Sequence, residues 1–531
     1  MTVLPLGGAC WIDGIEVDGQ GARFAAAAAR TGEPLGPEFA DASVAQVGAA
    51  VAAAGVAEIP FAGLSAQRRA AFLRAIAHEL VAAGDELLER AELETALPRA
   101  RLVAERGRTV LQLELFAALL EDGSWVDARL DRADEARHPQ RRPDLRTMLV
   151  PMGAVAVFGS SNFPFAYSVA GGDTASALAV GCPVVVKAHP MHPGTSEGVA
   201  RAIVAAMHTC KVPLGAFGMV HGRSHAVGQA LVEHSGIAAV GFTGSVAGGA
   251  ALCRLANARP VPIPVFAEMG SMNPVFVLPG ALHERGPAIA SMVAASALLA
   301  CGQFCTSPGM VLWCDGPGAD AFGAELAAAF GRGSNGTMVH PDLHSSFARA
   351  SAEVQSLHGV TVSAKSAAAP TDSATAVAAV LLQTNAAAVL QHARLRQEIY
   401  GPATVAVRCR SRAEMLAVAA SLHGHLTATV HGTDADFDQH EALLATLRRR
   451  VGRLVHNGVP TGVEVTTAMQ HGGPWPASSD SRFTAVGPRS VLRWVRPHCW
   501  QDAPMATLPP ELRDGNPAGL LRTVDGVLAR H

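Results

Sequence analysis

The run Gly302-Gln303-Phe304-Cys305-Thr306-Ser307-Pro308-Gly309 sets a cysteine among glycine, proline and small polar residues. Upstream, Glu268 heads the run Glu268-Met269-Gly270-Ser271-Met272-Asn273-Pro274. A thiolate can attack a carbonyl carbon, and a carboxylate can draw a proton from water in a second step. Together they suggest an enzyme that forms a thioester and then hydrolyses it. Each residue also has a plainer reading, since a single cysteine is commonly a small buried hydrophobe and a single glutamate a solvated loop residue. The glycines and prolines around both favour chemistry, because glycine lets backbone approach a ligand closely at some cost in stability. Cys301 is read as a packed neighbour of the nucleophile. No second Cys or His pair completes a metal site with it, so no metal is expected.

Four further motifs bear on the same chemistry. Pro151 to Phe158 reads as a strand entering the turn Gly159-Ser160-Ser161-Asn162-Phe163-Pro164, where Asn162 can aim its amide N–H at a developing oxyanion, worth about 3 kcal/mol for a well-placed donor. An isolated turn asparagine bonds its own backbone instead. Val184-Val185-Val186-Lys187 ends an apolar run on a cation, where a cofactor ribose or phosphate binds in such folds, or where a lysine snorkels. Gly241-Phe242-Thr243-Gly244-Ser245 opens an alanine-rich helix, with Gly249 beyond it. That helix start can hold a pyrophosphate, although the full three-glycine fingerprint is absent. Glu398, in Gln397-Glu398-Ile399-Tyr400-Gly401-Pro402, can grip ribose hydroxyls or cap a helix.

The elements that must hold these residues alternate. Ala66 to Leu120 is helical in pattern, with helices predicted over Arg68–Leu88 and, after Pro98, over Arg99–Leu119. Asp134 to Asp144 reads as an exposed connection. Short apolar runs at Val155–Phe158, Val184–Val186 and Ala239–Phe242 then alternate with helical stretches such as Thr174–Ala179 and Gly194–Met207, the pattern of parallel βαβ units. A second α/β block spans Glu268 to Val430. Val491–Arg496 reads as an edge strand, and the last thirty residues as a surface tail.

The bulk composition excludes other classes. A chain of 531 residues that is 49% hydrophobic can build two or three cores, and a formal charge of −3 with scattered arginines offers nothing to nucleic acid. Met1 to Cys10 carries no positive stretch before an apolar core, and the alanine-rich runs fall short of the ~20 apolar residues that a span requires. The expectation is a cytoplasmic protein with no membrane partner. Nine cysteines, irregularly spaced, do not form a disulfide framework.

In their order, Ser161-Asn162-Phe163-Pro164, Val186-Lys187, Phe242-Thr243-Gly244-Ser245, Glu268-Met269-Gly270, Gly302-Gln303-Phe304-Cys305 and Glu398-Ile399-Tyr400-Gly401-Pro402 resemble the aldehyde dehydrogenase superfamily over roughly residues 10–500. Gly171 to Leu178 and His471-Gly472-Gly473-Pro474-Trp475-Pro476 are similar to its NADP-linked fatty-aldehyde and α-ketoglutarate semialdehyde branch. Two positions depart from the common pattern: Tyr400 stands where phenylalanine is usual, and Ser161 where many relatives have tryptophan.

The resemblance implies an α/β fold with three parts: a Rossmann-like cofactor domain over 1–128 and 151–267, a catalytic domain over 268–488, and oligomerisation strands over 129–150 and 489–503. Residues 504–531 would follow as a tail. It implies Cys305 as nucleophile, Glu268 as the base for thioester hydrolysis, and Asn162 with the Cys305 N–H as the oxyanion hole. For the cofactor it implies Lys187 at the adenosine ribose or its 2′-phosphate, Gly244, Ser245 and the neighbouring Gly249 at the pyrophosphate, and Glu398 at the nicotinamide ribose. Relatives that select NAD carry an acid three residues after the strand-end lysine, where this chain has Pro190. With Lys187, His189 and Arg223 as nearby cations, NADP is expected alongside NAD. The implied activity is oxidation of an aldehyde to an acid, α-ketoglutarate semialdehyde first, with a medium- or long-chain aldehyde enzyme and a catalytically silent binding relative as alternatives. A homodimer or homotetramer is expected.

Overall fold

The computed structural model describes residues 6–333, 336–367 and 373–530; residues 1–5 and 531, the ends of the expected first unit and tail, lie outside the described residues. The chain is α/β. Five parallel strands, Val155–Phe158, Val184–Lys187, Phe217–Val220, Ala239–Thr243 and Val265–Glu268, form most of a seven-stranded sheet, which Cys10–Ile12 and Ile15–Val17 continue in antiparallel sense. These five are buried along almost their whole length, because helices cover both faces of a parallel sheet and leave no solvent side to alternate with. Val155–Phe158 lies between Val184–Lys187 and Ala239–Thr243, so the strand order reverses there. Loops leaving the carboxyl ends at such a reversal part from each other and open a crevice. Asn162, Lys187, Gly244 and Glu268 all stand at or just beyond those ends.

A second seven-stranded sheet runs Thr361–Lys365, Val380–Asn385, Ala403–Cys409, Met310–Cys314, Val275–Val277, His425–His431 and Val451–His456, parallel except at its first strand. Cys305 lies in the turn that leads into Met310–Cys314, whereas Glu268 ends a strand of the first sheet. The two reactive side chains therefore come from different sheets and meet between them.

The helices differ from the sequence pattern at one break. The predicted helix Arg68–Leu88 is divided into Ala66–Ala82 and Gly84–Thr95, because Gly84 takes a left-handed φ of +66° that breaks the helical path. Arg99–Asp122 starts after Pro98, as expected, and ends at Gly123 with φ +70°. Val44–Ala62 and Pro279–Gly302 are long and apolar enough to cross a membrane by length and composition. Here each lays one face on a sheet, Val47 and Val51 beside Val185 and Val220, Ile289 and Val293 beside Val311 and Leu381.

The C-terminal region differs most. Pro488–Arg493 is a 3-10 helix, and the strand expected at Val491–Arg496 runs instead from Val495 to Gln501. The apolar residues before it are drawn inward. Trp494 is fully buried, edge-on to Phe266 at 5.4 Å, and its indole N–H donates to Ser176 Oγ at 2.7 Å. Arg493 pairs with Asp173 at 2.7 Å. The Gly171–Leu178 motif is thus a docking face for this turn. The final residues, expected as a surface tail, take part in a sheet: Arg522–Val524 and Val527–Ala529 join Arg129–Asp131, Leu145–Pro151 and Val495–Gln501 in a five-stranded sheet.

Candidate active site

Cys305 Sγ stands 3.5 Å from His471 Nε2, which in turn stands 2.8 Å from Glu268 Oε1. His471 and Glu268 are buried and Cys305 is half-buried. Burial first, and then the Glu268 charge, push the Cys305 thiol well above its ordinary range. A thiol so placed needs a base at hand to become a nucleophile. His471 Nε2 faces both groups: carrying a proton it donates to Glu268 Oε1, and without one it can accept from the thiol. Glu268 Oε2 is buried with no hydrogen-bond partner, which leaves it free to take a proton from water. The three ligand atoms lie within 4.8 Å of one another and are also of metal-binding type. Their mutual hydrogen bonds give each residue a partner without an ion.

The loop carrying Cys305 is held from several sides. Asn273, at φ +45°, donates through Nδ2 to the carbonyls of Cys305 at 2.8 Å and Ser307 at 2.9 Å, and its own Oδ1 accepts from Ser271 and Thr427. Asn162 Nδ2 donates to the Gln303 carbonyl at 2.8 Å, and Tyr400 donates its hydroxyl to the same oxygen at 3.1 Å. One amide hydrogen of Asn162 is used there, and its second has no partner among the described hydrogen bonds. The Tyr400 hydroxyl, which a phenylalanine lacks, thus fastens the nucleophile loop.

Residues predicted for the cofactor fall into two groups. Glu398 stands over Gly270, where an added Cβ would collide with its Oε2, and burial pushes its carboxyl up to about 8. At the end of Val184–Lys187, burial pulls the Lys187 ammonium down to about 8 against the opposing pull of Asp41. His189 stacks on His192 at 5.3 Å and is held well below its ordinary range by burial. Arg223 is exposed, and its backbone N–H is tied to Asp41. Lys187 and Arg223 thus stand near His189, His192 and His340, of which burial holds His189 and His340 toward the neutral form.

The aldehyde dehydrogenase family profile matches residues 17–482. The chain belongs to the aldehyde dehydrogenase family. It is 47% identical over 496 residues to an α-ketoglutaric semialdehyde dehydrogenase 2 of Azospirillum brasilense, covering 93% of this chain and 94% of that one. It is 42% identical to an α-ketoglutaric semialdehyde dehydrogenase of Acinetobacter baylyi, covering 94% of each. Aldehyde dehydrogenase C of Pseudomonas syringae, solved as a mutant in complex with NAD+ and octanal, shares the fold with a TM-score of 0.78 at 19% identity, covering 93% of this chain and 97% of that one.

As a member of that family the protein is an NAD(P)-dependent aldehyde dehydrogenase, and its crevice suits the cofactor. Ser245 caps the helix Val246–Asn257 by accepting from the Gly248 N–H at 3.1 Å. The N–H groups of Val246 and Ala247 have no preceding turn to bond and lie beside exposed Gly244 and Ser245, as a pyrophosphate requires. Two predicted contacts change. The Gly244 N–H is spent on the Glu268 carbonyl and the Gly249 N–H on the Ser245 carbonyl, both at 3.0 Å. A Cβ at Gly249 would collide with Met269 Sδ, so that glycine serves close packing of helix on strand.

Sequence reasoning misses His471, because its motif serves there only to mark a branch of the aldehyde dehydrogenases. A lone histidine beside Gly-Gly-Pro gives no spacing to Cys305 or Glu268. Replacing His471 by alanine is expected to lower kcat/KM about 100-fold and to move the acidic limb of the pH profile upward, because the thiolate loses its cationic neighbour. Alkylation of Cys305 by iodoacetamide should slow in parallel. A pH profile left in place would mean that the histidine only fills space.

Proposed function

We propose that this aldehyde dehydrogenase oxidises a short ω-oxo acid, α-ketoglutarate semialdehyde foremost, through a thioester on Cys305. The observation that carries the chemistry is the contact series Cys305–His471–Glu268, with Asn162 anchored beside it. The substrate class is supported by the two relatives of 47% and 42% identity. In the first step His471 takes the Cys305 proton and the thiolate adds to the aldehyde carbon. The free Asn162 amide hydrogen holds the oxyanion of the thiohemiacetal. Bound NAD(P) supplies the hydride acceptor that turns this adduct into the thioester. Glu268 Oε2 then draws a proton from water, hydroxide adds to the thioester carbonyl, and Cys305 leaves as thiolate with release of the acid. The test is NAD and NADP reduction with α-ketoglutarate semialdehyde, succinic semialdehyde, hexanal and decanal. Efficiencies that climb with alkyl length and stay low for both oxo acids would favour a fatty-aldehyde enzyme instead.

Val246, Ala247 and Ser245 are placed on the pyrophosphate in this reading, Glu398 on the nicotinamide ribose, and Lys187, His189 and Arg223 around the adenosine ribose or its 2′-phosphate. The pH dependence of cofactor binding follows from Lys187. Its ammonium is lowered to about 8, so it is charged below that pH and neutral above it. Only the charged form attracts a 2′-phosphate, so NADP affinity should weaken as pH rises above about 8, by up to tenfold per unit, with NAD less affected. Titrations of both cofactors between neutral and mildly alkaline pH read the difference. Parallel curves for the two would remove Lys187 from the phosphate.

For assembly we propose a homodimer or homotetramer. Val495–Gln501 and Val451–His456 are the open edges of their sheets, and strand addition between copies would satisfy both. A cytoplasmic setting suits a reaction that needs Cys305 reduced, and all nine cysteines are free thiols.

A further inference from the structure

The helix Arg99–Asp122 turns one face toward the segment that follows Asn162. Glu105 on that face accepts from the N–H groups of Phe165 and Ala166, at 2.9 and 3.0 Å. One turn to either side of Glu105, Arg101 and Arg108 occupy the same face, and they differ in charge balance. Arg101 lies 4.6 Å from the Phe163 ring and 5.4 Å from the Phe304 ring, and its charge is paired with Glu105 at 2.7 Å. Arg108 donates through Nη1 to the Val463 carbonyl at 2.6 Å and through Nη2 to the Tyr167 hydroxyl at 3.3 Å. Its buried Nε has no partner, and no carboxylate of the described residues pairs with its guanidinium.

A second guanidinium converges on the same loop. Arg453, from the edge strand of the second sheet, donates to the carbonyls of Pro460 at 2.5 Å and Gly462 at 3.3 Å. Its Nε is likewise buried and unpartnered. Both charges reach far enough to act on the Cys305 thiol. A series of ring contacts leads from Arg108 toward the nucleophile: Tyr167 edge-on to Phe163 at 5.1 Å, and Phe163 at 5.6 Å from Phe304, the neighbour of Cys305. Two half-buried cations without counterions among the described residues, at the far end of that ring series, are costly to keep unless an anion joins them. Fastening the 460–463 loop needs only neutral donors and does not require that charge.

We infer that Arg108, aided by the Tyr167 hydroxyl and the field of Arg453, binds the carboxylate of an ω-oxo acid whose aldehyde end lies at Cys305. Two N–H donors in a planar fork match a carboxylate, and the anion offsets the charge that the protein leaves unpaired. The rings of Phe163 and Phe304 pack along the carbons between the two ends. Such a site would select a short chain with a terminal anion over an alkyl chain, which would bury both cations unpaired.

This rests on the oxo-acid reading above, and the test separates the two. Wild type, Arg108→Gln and Arg453→Gln are assayed with α-ketoglutarate semialdehyde and with hexanal, each enzyme first checked for folding by its melting curve. The expected result is a KM for the oxo acid raised roughly 10- to 100-fold in Arg108→Gln, with kcat changed far less, and a collapse of the oxo-acid to hexanal preference by a similar factor. Arg453→Gln should move the same way by a smaller amount. A wild type that prefers the oxo acid, with variants that keep that preference to within about threefold, overturns the clamp alone and leaves the arginines as loop fasteners. A wild type that prefers hexanal overturns the oxo-acid reading and the clamp with it. Should Arg108→Gln not fold, Arg108→Lys, which keeps the charge and loses the fork, is read by the same ratio: an unchanged ratio overturns the bidentate contact.

Discussion

Cys305→Ala is expected to abolish aldehyde oxidation, with a loss of about 10⁴-fold or more, while cofactor binding stays close to wild type. In the proposed mechanism the Cys305 thiol bonds the substrate carbon. The proposed cofactor contacts lie on other residues: Lys187 at a strand end, the first turn of Val246–Asn257, and Glu398 over Gly270. Removing Sγ leaves a small gap beside His471 and frees that histidine to bond Glu268 permanently, so the fold should persist. Cys301→Ala is the contrast. Cys301 is buried, burial pushes its thiol up to about 12, and no described hydrogen bond sets a base beside it as His471 stands beside Cys305. A dead Cys301 variant beside an active Cys305 variant would reverse the choice of nucleophile. Initial rates and a cofactor titration on each purified variant read both effects.

Glu268→Gln should lower steady-state turnover by about 10²- to 10⁴-fold and split the reaction in time. The amide still occupies the place of the carboxylate, but it cannot take a proton from water through the buried, unpartnered Oε2 position. It also removes the carboxylate charge that holds the Cys305 thiol up, so thiolate formation should not be the step that suffers. Rapid mixing should therefore show a burst of reduced cofactor near one equivalent per site, followed by a stall. Loss of the burst together with the steady state would place Glu268 before hydride transfer and make it the base for Cys305.

Much of this was legible in the sequence, for identifiable reasons. Asn162, Lys187, Gly244 and Glu268 follow short apolar runs, and in a doubly wound sheet the ends of such runs converge on one crevice. Cys305 and Glu398 lie in turns whose glycines and prolines are uncommon enough to stand out. His471 is different. Its place between Cys305 and Glu268 depends on a long irregular segment returning to the first sheet, where Met269 donates to the Ala477 carbonyl and Glu268 bridges Ser478. No local pattern encodes such a pairing. Arg108 was hidden among many arginines until the Glu105 contacts to Phe165 and Ala166 fixed which face of its helix points inward. One signal was present: Arg101, Glu105, Arg108 and Gln112 place polar residues along the stripe of a helix that should be apolar. The C-terminal strand was misplaced because Val491 and Trp494 look equally suited to a sheet edge or a core, and the Arg493–Asp173 pair decides for the core.

The central claim is that oxidation proceeds through an acyl group on Cys305 and that water activated by Glu268 removes it. The most direct measurement is peptide mass analysis of Glu268→Gln enzyme, mixed with α-ketoglutarate semialdehyde and NADP and quenched in acid. The account predicts the mass of the bound acyl group on the peptide containing Cys305, present only when cofactor is supplied and discharged by hydroxylamine. An unmodified Cys305 peptide in enzyme that has reduced one equivalent of cofactor, or an adduct confined to Cys301, would contradict it.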